Sequence, residues 1–559
     1  MHLKILVIAM VEKTNPIARL WDLIIIEKKE VVSVYFYAIL SGLLQLSVPL
    51  GVQAIIGFVL GASMVTSIYV LIIVVVVGVL MVGIMQINQV RIIEKIQQNI
   101  FARYAFAFAE TIPRFDLKKI DNYYLPEKVN RFFDTLSVQK GLSKLLLDIP
   151  TASIQILFGL LLLTLYHPFF IVFGFLLLVI LWLILKFTSK KGLATSLQES
   201  AYKYEVVAWL EEMARVIKSF KFSQGTHLNL EKTDKNMMGY LSARTAHFGV
   251  LLFQYKTLVF FKVAITTAML TVGTYLLLNQ QLNIGEFIAA EIVILTVIAA
   301  VEKLIGSLDS VYDVITGLEK LASVTEIDLE KDGKLPFNAQ NDGISIKMSD
   351  FSFQYLDGKK ALNDINLDIP ANSKVCISGH EGSGKSSLLR VLSGNYSDFT
   401  GSILLNSIPI GNYQLETLRG RIGVFLNQQD IFKGTVWENI SINREGISPE
   451  GVTKIAQNLG IQSYLNTLHD GFETAIDSAG KKLPSSISKK ILLLRAFANE
   501  PNLLLLEEPW QGLEVNEKEV MMKFLLNSIK NTTVIIVSND ESFAKKCDYH
   551  IHLDNGKIK

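Results

Sequence analysis

Six apolar stretches within the first 305 residues constrain this chain more than any other feature of it. They cover about residues 32–60, 66–88, 147–166, 168–188, 250–278 and 284–305. A helix needs about 20 apolar residues to cross a hydrocarbon core of about 30 Å. Inside that core every backbone polar group must be satisfied within its own segment, so the stretches are read as transmembrane α-helices. The mean hydropathy of +0.36 supports a membrane protein. The apolar runs stop near residue 305, and beyond them strand and helix patterns alternate as in a soluble α/β domain.

The fold expected is therefore a membrane α-helical bundle of six helices followed by an α/β domain. The division expected is 1–325 for the membrane part, 326–344 for a linker and 345–559 for the soluble part; Asp328 to Asp342 has linker composition. Two cysteines, Cys376 and Cys547, make no disulfide framework and no metal-ligand spacing. A formal charge of +2 gives no support to nucleic-acid binding.

Loop charges orient the bundle. Gly61 to Ser67, the turn at His167-Pro168 and Asn279 to Gly285 contain no Lys or Arg. The opposite connections are long: ten Lys or Arg lie between Arg91 and Lys144, and nine between Lys190 and Arg244, or ten with Lys186. The positive-inside rule places these long loops, both termini and the soluble domain in the cytoplasm. Leu3 to Met10 is too short for a signal peptide and lacks a small-residue cleavage site.

Ile92, Ile93, Ile96 and Ile100, and likewise Val207, Leu210, Met213 and Val216, fall at helical spacing, so both long loops read as helical levers. Within the spans, Lys262 and Glu291 admit two readings. They line a polar path, or they reach toward an interface; by depth they are not partners.

In the soluble half, the β-type run Lys374 to Ser378 leads into Gly379-His380-Glu381-Gly382-Ser383-Gly384-Lys385-Ser386 and a helical segment from Ser387. This is the phosphate-binding Walker A pattern in its strand–loop–helix setting, so the fold expected is a membrane α-helical bundle of six helices with long cytoplasmic extensions, followed by an α/β P-loop nucleotide-binding domain. Gly379, Gly382, Ser383 and Gly384 would close backbone N–H groups around phosphate oxygens, with Lys385 neutralising the β- and γ-phosphates. Ser386 would ligate Mg²⁺, beside Ser387 at the helix start. A second strand, Leu503 to Leu506, ends in Glu507-Glu508. Glu507 would hold Mg²⁺ through water and Glu508 would polarise the attacking water. Without the first motif, the pair would read as exposed acids after a core strand. ATP and Mg²⁺ are the cofactors expected.

Six spans with two long cytoplasmic levers, followed by this domain, resemble a half-transporter of the ABC exporter type along essentially the whole chain. Tyr355 in Phe351-Ser-Phe-Gln-Tyr matches the family's adenine-stacking aromatic. Leu418-Arg419 through Ile422-Gly423-Val424 to Phe432-Lys433-Gly434-Thr435 looks like its glutamine-loop segment. Pro49-Leu50 through Gln53, Val129 to Asp134 and the His167-Pro168 turn are similar to type I secretion and bacteriocin transporters. Only about 30 residues precede the first span, so the peptidase domain of some relatives, and leader cleavage with it, is not expected.

The departures from the family pattern converge on one task. Leu483-Pro484-Ser485-Ser486-Ile487 stands where the family has Leu-Ser-Gly-Gly-Gln. Asn427 stands at the glutamine position with Gln428 beside it, Glu507 replaces an aspartate, Gln511 to Glu514 replaces Ser-Ala-Leu-Asp, and Asn539 replaces a histidine. In the family, ATP is held between one chain's phosphate loop and the other chain's signature. Pro484 removes a hydroxyl and a backbone donor from that contact, and Ser485 and Ser486 block the closest backbone approach that glycine permits. Asn539 can donate a hydrogen bond to a γ-phosphate but cannot carry a proton.

The resemblance implies export across a bacterial inner membrane by a homodimer or heterodimer, with peptide or protein as substrate and a periplasmic adaptor and outer-membrane conduit as partners. Two alternatives stay open. One is a hydrolysis-deficient regulatory partner in a heterodimeric exporter, and the other a lipid or drug exporter.

Overall fold

The computed structural model describes residues 15–61, 65–120, 125–223, 227–338, 342–427, 429–465, 468–477 and 483–559. The N-terminal stretch Leu3 to Met10, part of the Gly61 to Ser67 loop and Gln428 lie outside the described residues. The chain divides into two compact units. The first is Met1–Pro113 with Tyr124–Ile327, and the second is Arg114–Tyr123 with Asp328–Lys559.

In the first unit the helices are α1 Pro16–Ile26, α2 Lys28–Gln45, α3 Ser47–Leu60, α4 Val65–Thr111, α6 Leu125–Asn130, α7 Asp134–Tyr166, α8 Phe169–Arg215, α9 Ile217–Phe222, α10 Leu228–Leu278, α11 Ile284–Gly306 and α12 Leu308–Thr325; α5, Leu117–Ile120, belongs to the second. Among the described residues, six helical stretches are long and apolar enough to cross a membrane. The first of these is broken between α2 and α3. Pro49 has no N–H to give to the carbonyl of Gln45, one turn earlier, and the helix restarts at Ser47. At 1.5 Å per residue the 47-residue α4 and α8 are about 70 Å long, more than twice a hydrocarbon core.

The levers bury different faces. On α4, Ile93, Ile96 and Ile100 turn inward as the spacing predicts. On α8 the buried seam is Gly192, Ser196, Ser200 and Tyr204, small and polar residues four apart, whereas Leu210 is exposed. A Cβ on Gly192 would sit 2.4 Å from the Tyr312 ring, so glycine is what lets α12 approach. Ser196 and Thr316 share a hydrogen bond of 2.9 Å across that seam, and Gln254 donates to Thr188 at 2.8 Å and to Tyr312 at 3.1 Å. Lys262 forms an ion pair with Glu302 of α11.

The second unit is built on two sheets. Strands β1 Ile346–Gln354, β2 Lys360–Ile369, β4 Thr400–Leu405 and β5 Ile408–Pro409 form an antiparallel sheet in the order β2-β1-β4-β5. The other runs β12-β11-β3-β10-β9-β6, with β3 Lys374–Gly379, β6 Ile422–Phe425, β9 Leu503–Glu507, β10 Thr533–Val537, β11 Tyr549–Asp554 and β12 Lys557–Ile558. Strands β7 Gly434–Thr435 and β8 Ala475–Ile476 pair separately. In the second sheet β11, β3, β10, β9 and β6 are parallel neighbours. Such strands are covered on both faces and read as continuous apolar runs, as in the fully buried Leu503–Glu507 and Thr533–Val537. Helices α13 Lys385–Leu392, α14 Leu415–Arg419, α15 Val436–Ser441, α16 Pro449–Asn458, α17 Gln462–Leu465, α18 Ser485–Phe497, α19 Val515–Lys523 and α20 Glu541–Ala544 complete the unit.

The stretch read as a linker is partly laid into this unit. Leu329 bridges to Phe115, Leu335 bridges to Tyr413, and Glu330 pairs with Arg419 at 2.7 Å.

Candidate nucleotide site

Parallel strands deliver their loops to one edge, so residues far apart in sequence meet at the carboxyl ends of β3, β6, β9 and β10. The loop after β3 needs its glycines. Gly384 has φ +101°, and a Cβ there would lie 2.5 Å from the carbonyl oxygen of Ala361. Gly379 has φ +150°, and a Cβ would lie 2.2 Å from that of Leu553. With Gly382 also at positive φ, the loop curls around the Lys385 ammonium. Lys385 Nζ donates to the carbonyls of Gly379 at 2.7 Å and His380 at 2.6 Å, and lies 3.4 Å from Ser383 Oγ. Burial pushes the ammonium below its ordinary pKa, and the carboxylates of Glu508, Glu507 and Glu381 pull it partway back.

Helix α13 starts at the end of this loop and carries Ser386 and Ser387 in its first turn. Ser386 Oγ donates to Glu507 Oε1, which brings a hydroxyl and a carboxylate from two strands' ends together. Hard oxygen donors of this kind suit Mg²⁺. The second carboxylate oxygen of Glu507 accepts from the Asn427 N–H at 3.0 Å, so the backbone of Asn427 enters the cluster.

Glu508 sits at φ +45°, a conformation that costs a non-glycine residue on the order of 1 kcal/mol. Its N–H is held by the Val537 carbonyl at 2.9 Å, and Ser538 Oγ donates to its carboxylate at 3.2 Å. Asn539 Oδ1 accepts from the Gly379 N–H at 3.1 Å, tying the end of β10 to the start of the phosphate loop.

Tyr355 is turned toward α13. Its hydroxyl hydrogen-bonds Ser387 Oγ at 2.8 Å, and its ring packs edge-on to Phe353 and Tyr396. Pro484 and Ser485 open α18 and share no hydrogen bond with the loop among the described residues. Gln428 lies outside the described residues.

Sequence reasoning passed over several neighbours. Ser538 is a positioning residue for Glu508. Ser378, just before the loop, lies 2.8 Å from His550 Nε2 and 3.1 Å from His552 Nδ1, and the His380 ring stands edge-on to His552. Alternation along β11 puts His550 and His552 on one face, a signal available in the sequence; their meeting with Ser378 needs the β3–β11 register.

Pro484 is the N-cap of α18 and offers no side-chain acceptor; its carbonyl receives the N–H groups of Ile487 at 2.9 Å and Ser488 at 3.2 Å. Its ψ of 142° is already that of a good cap. Pro484→Ser is expected to add about 1 kcal/mol. In a unit of this size that raises the unfolding temperature by about 2–4 °C, readable by calorimetry on the full chain. No rise would mean that the α18 terminus is satisfied by other groups.

Residues 362–511 match the family model described as ABC transporter, and residues 31–301 match the ABC transporter transmembrane region. The alpha-hemolysin translocation ATP-binding protein HlyB of Escherichia coli O157:H7 is 28% identical over 360 residues, 63% of this chain and 50% of the relative. The leukotoxin translocation ATP-binding protein LktB of Mannheimia glucosida is 27% identical over 52% of this chain and 41% of its own length. The mitochondrial iron-sulfur clusters transporter ABCB7 of Oryzias latipes is 28% identical over 41% of this chain and 31% of its own. The chain spans about half the length, or less, of these curated relatives. A bacterial Atm1-family ABC exporter solved with ATP bound shares the fold, with a TM-score of 0.85 at 16% identity over 95% of this chain and 94% of that one.

Proposed function

Given that the chain belongs to the ABC transporters, as a multi-pass membrane protein with the exporter fold, we propose that it binds MgATP and couples binding and slow hydrolysis to export of a peptide or protein. The observation that carries this reading is the convergence of Lys385, Ser386, Glu507, Glu508 and Asn539 at the carboxyl ends of parallel strands. In this reading the Lys385 ammonium exchanges its loop carbonyls for β- and γ-phosphate oxygens. Ser386 and Glu507 would hold Mg²⁺, which when bound neutralises charge on the phosphates. Glu508, aimed by Ser538, polarises the attacking water. With its Oδ1 engaged by Gly379, Asn539 keeps its amide N–H donors for the phosphate.

Similarity to the hemolysin and leukotoxin translocators supports a polypeptide substrate; a bacterial inner-membrane location and an adaptor with an outer-membrane conduit are proposed with it. The positive loops support cytoplasmic termini and a cytoplasmic nucleotide-binding unit. A second reading, a regulatory subunit in a heterodimer, is favoured by Pro484 and Asn539. If a partner supplied an intact signature to this phosphate loop, the site would still lack its histidine, and the partner's own loop would face Pro484.

The test is ATP turnover by the purified protein in a bilayer mimic, beside Glu508→Gln. Turnover near one per second falls in the ordinary enzyme range and, if lost in that variant, supports a homodimeric pump. ATP binding with no turnover above Glu508→Gln would overturn the autonomous pump and favour the regulatory subunit.

A further inference from the structure

Three of the chain's eight histidines gather near one edge of the second sheet, at the root of the phosphate loop. None of them is among the residues assigned to MgATP. Alternation along β11 sets His550, His552 and Asp554 on one face of the strand. The parallel register with β3 lays His550 beside Cys376 and His552 beside Ser378. The side chains converge on one point: Ser378 Oγ lies 2.8 Å from His550 Nε2 and 3.1 Å from His552 Nδ1. His380 follows two residues after Ser378, and its ring centroid is 6.4 Å from that of His552.

A hydroxyl has one proton, so Ser378 donates to one ring nitrogen and accepts from the other. The same spacing also suits a metal ion. Ligand atoms about 2.0–2.1 Å from a Zn²⁺ stand about 3.0–3.4 Å from one another. The two separations at Ser378 Oγ are close to that, so the three atoms can close on one ion by small side-chain rotations. They sit on two paired strands, which fixes their spacing more firmly than loops would. Access is open, since His550 is exposed and His552 half-buried. The Asp554 carboxyl is held below its ordinary range chiefly by Lys559, with His380 and His552 adding to the effect, so an acid stands within electrostatic reach of the same rings. Among the described residues no three His, Cys, Asp or Glu side chains already form a metal set, so the third protein ligand here is a hydroxyl.

We propose that His550 Nε2, His552 Nδ1 and Ser378 Oγ bind one divalent transition-metal ion of the kind imidazole favours, Zn²⁺ or Cu²⁺, with His380 or water completing its shell. Mg²⁺ takes hard oxygen donors and is left to Ser386 and Glu507. The bound ion straps β11 to the residue from which the phosphate loop departs; Gly379 and His380, whose carbonyls hold Lys385, come next. The site is independent of the nucleotide and export readings.

The experiment is titration of the tag-free, nucleotide-free full chain in detergent. Zn²⁺ is followed by competition with a chromophoric chelator, and Cu²⁺ by electron paramagnetic resonance. One ion per chain is expected, held more tightly as Cu²⁺ than as Zn²⁺ and not displaced by excess Mg²⁺. The Cu²⁺ spectrum should carry hyperfine structure from at least two nitrogens. His550→Gln and His552→Gln are each expected to weaken Zn²⁺ binding about tenfold or more, and Ser378→Ala to weaken it less. His469→Gln, on an exposed turn elsewhere in the unit, should change nothing. Unfolding temperatures measured without metal show which variants are folded, and the exposed position of His550 keeps its variant informative if His552→Gln is not. Absence of saturable Zn²⁺ binding below about 0.1 mM would overturn the proposal. So would binding unchanged in both histidine variants, or binding lost in Cys547→Ser, which would assign the ion to the thiol.

Discussion

Lys385→Ala is expected to weaken ATP binding by about 10²–10⁴-fold. Hydrogen bonds to charged groups contribute about 1.5–3 kcal/mol each, and the Lys385 ammonium is placed to make two, one on each of the outer phosphates. The variant also removes the donor that the carbonyls of Gly379 and His380 share, so the loop loses an internal strut as well as its charge. Titration with a fluorescent ATP analogue, with and without Mg²⁺, reads the effect. Ser386→Ala provides the contrast: its loss should be smaller and confined to the Mg²⁺ series, because its hydroxyl meets Glu507 rather than the ammonium. Equal affinities for parent and Lys385→Ala would remove this loop as the nucleotide site.

Lys490→Met is expected to lower the unfolding temperature of the second unit by about 6–20 °C. Lys490 on α18 and Glu517 on α19 lie 2.6 Å apart with side chains only 13% and 10% exposed. Breaking a buried pair from one side leaves an unmatched charge away from water, at a cost of about 3–5 kcal/mol. Each kcal/mol moves a unit of this size by about 2–4 °C. The second half of the experiment identifies the cause. Lys490→Met with Glu517→Gln removes the stranded charge and keeps an oxygen for the N–H of Glu514, which Glu517 now caps at 3.1 Å. The double variant should regain most of the lost stability. A double variant as unstable as the single one would assign the loss to packing around Lys490 instead.

The parts legible in the sequence are those with local causes. Runs of Val, Leu and Ile mark the membrane helices, and the glycine spacing before Lys385 marks a loop whose conformation depends on those glycines. Pro49 was also there to be read as the break between α2 and α3. What escaped depends on distant partners. Nothing near Lys262 announces Glu302, forty residues on. The Gly192, Ser196 and Ser200 seam is invisible to a search for apolar periodicity, because α8 packs there by close approach and hydroxyl pairing. Ser538 and Asn539 gain their partners only through the parallel register of β9, β10 and β3.

The second unit is assembled from two separate lengths of chain, and this sets a problem of timing on the ribosome. Arg114–Tyr123 belongs to it, with Phe115 and Ile120 only 3% and 4% exposed, yet 204 residues, Tyr124–Ile327, are made before its remainder begins. At about 5–20 residues per second that interval is roughly 10–40 s, during which two apolar side chains await a surface not yet translated. Nascent-chain helpers would have most to bind in that window. A piece begun at Asp328 would have the converse defect, lacking the Lys118 that pairs with Asp398 and the Phe115 backbone that bridges to Leu329.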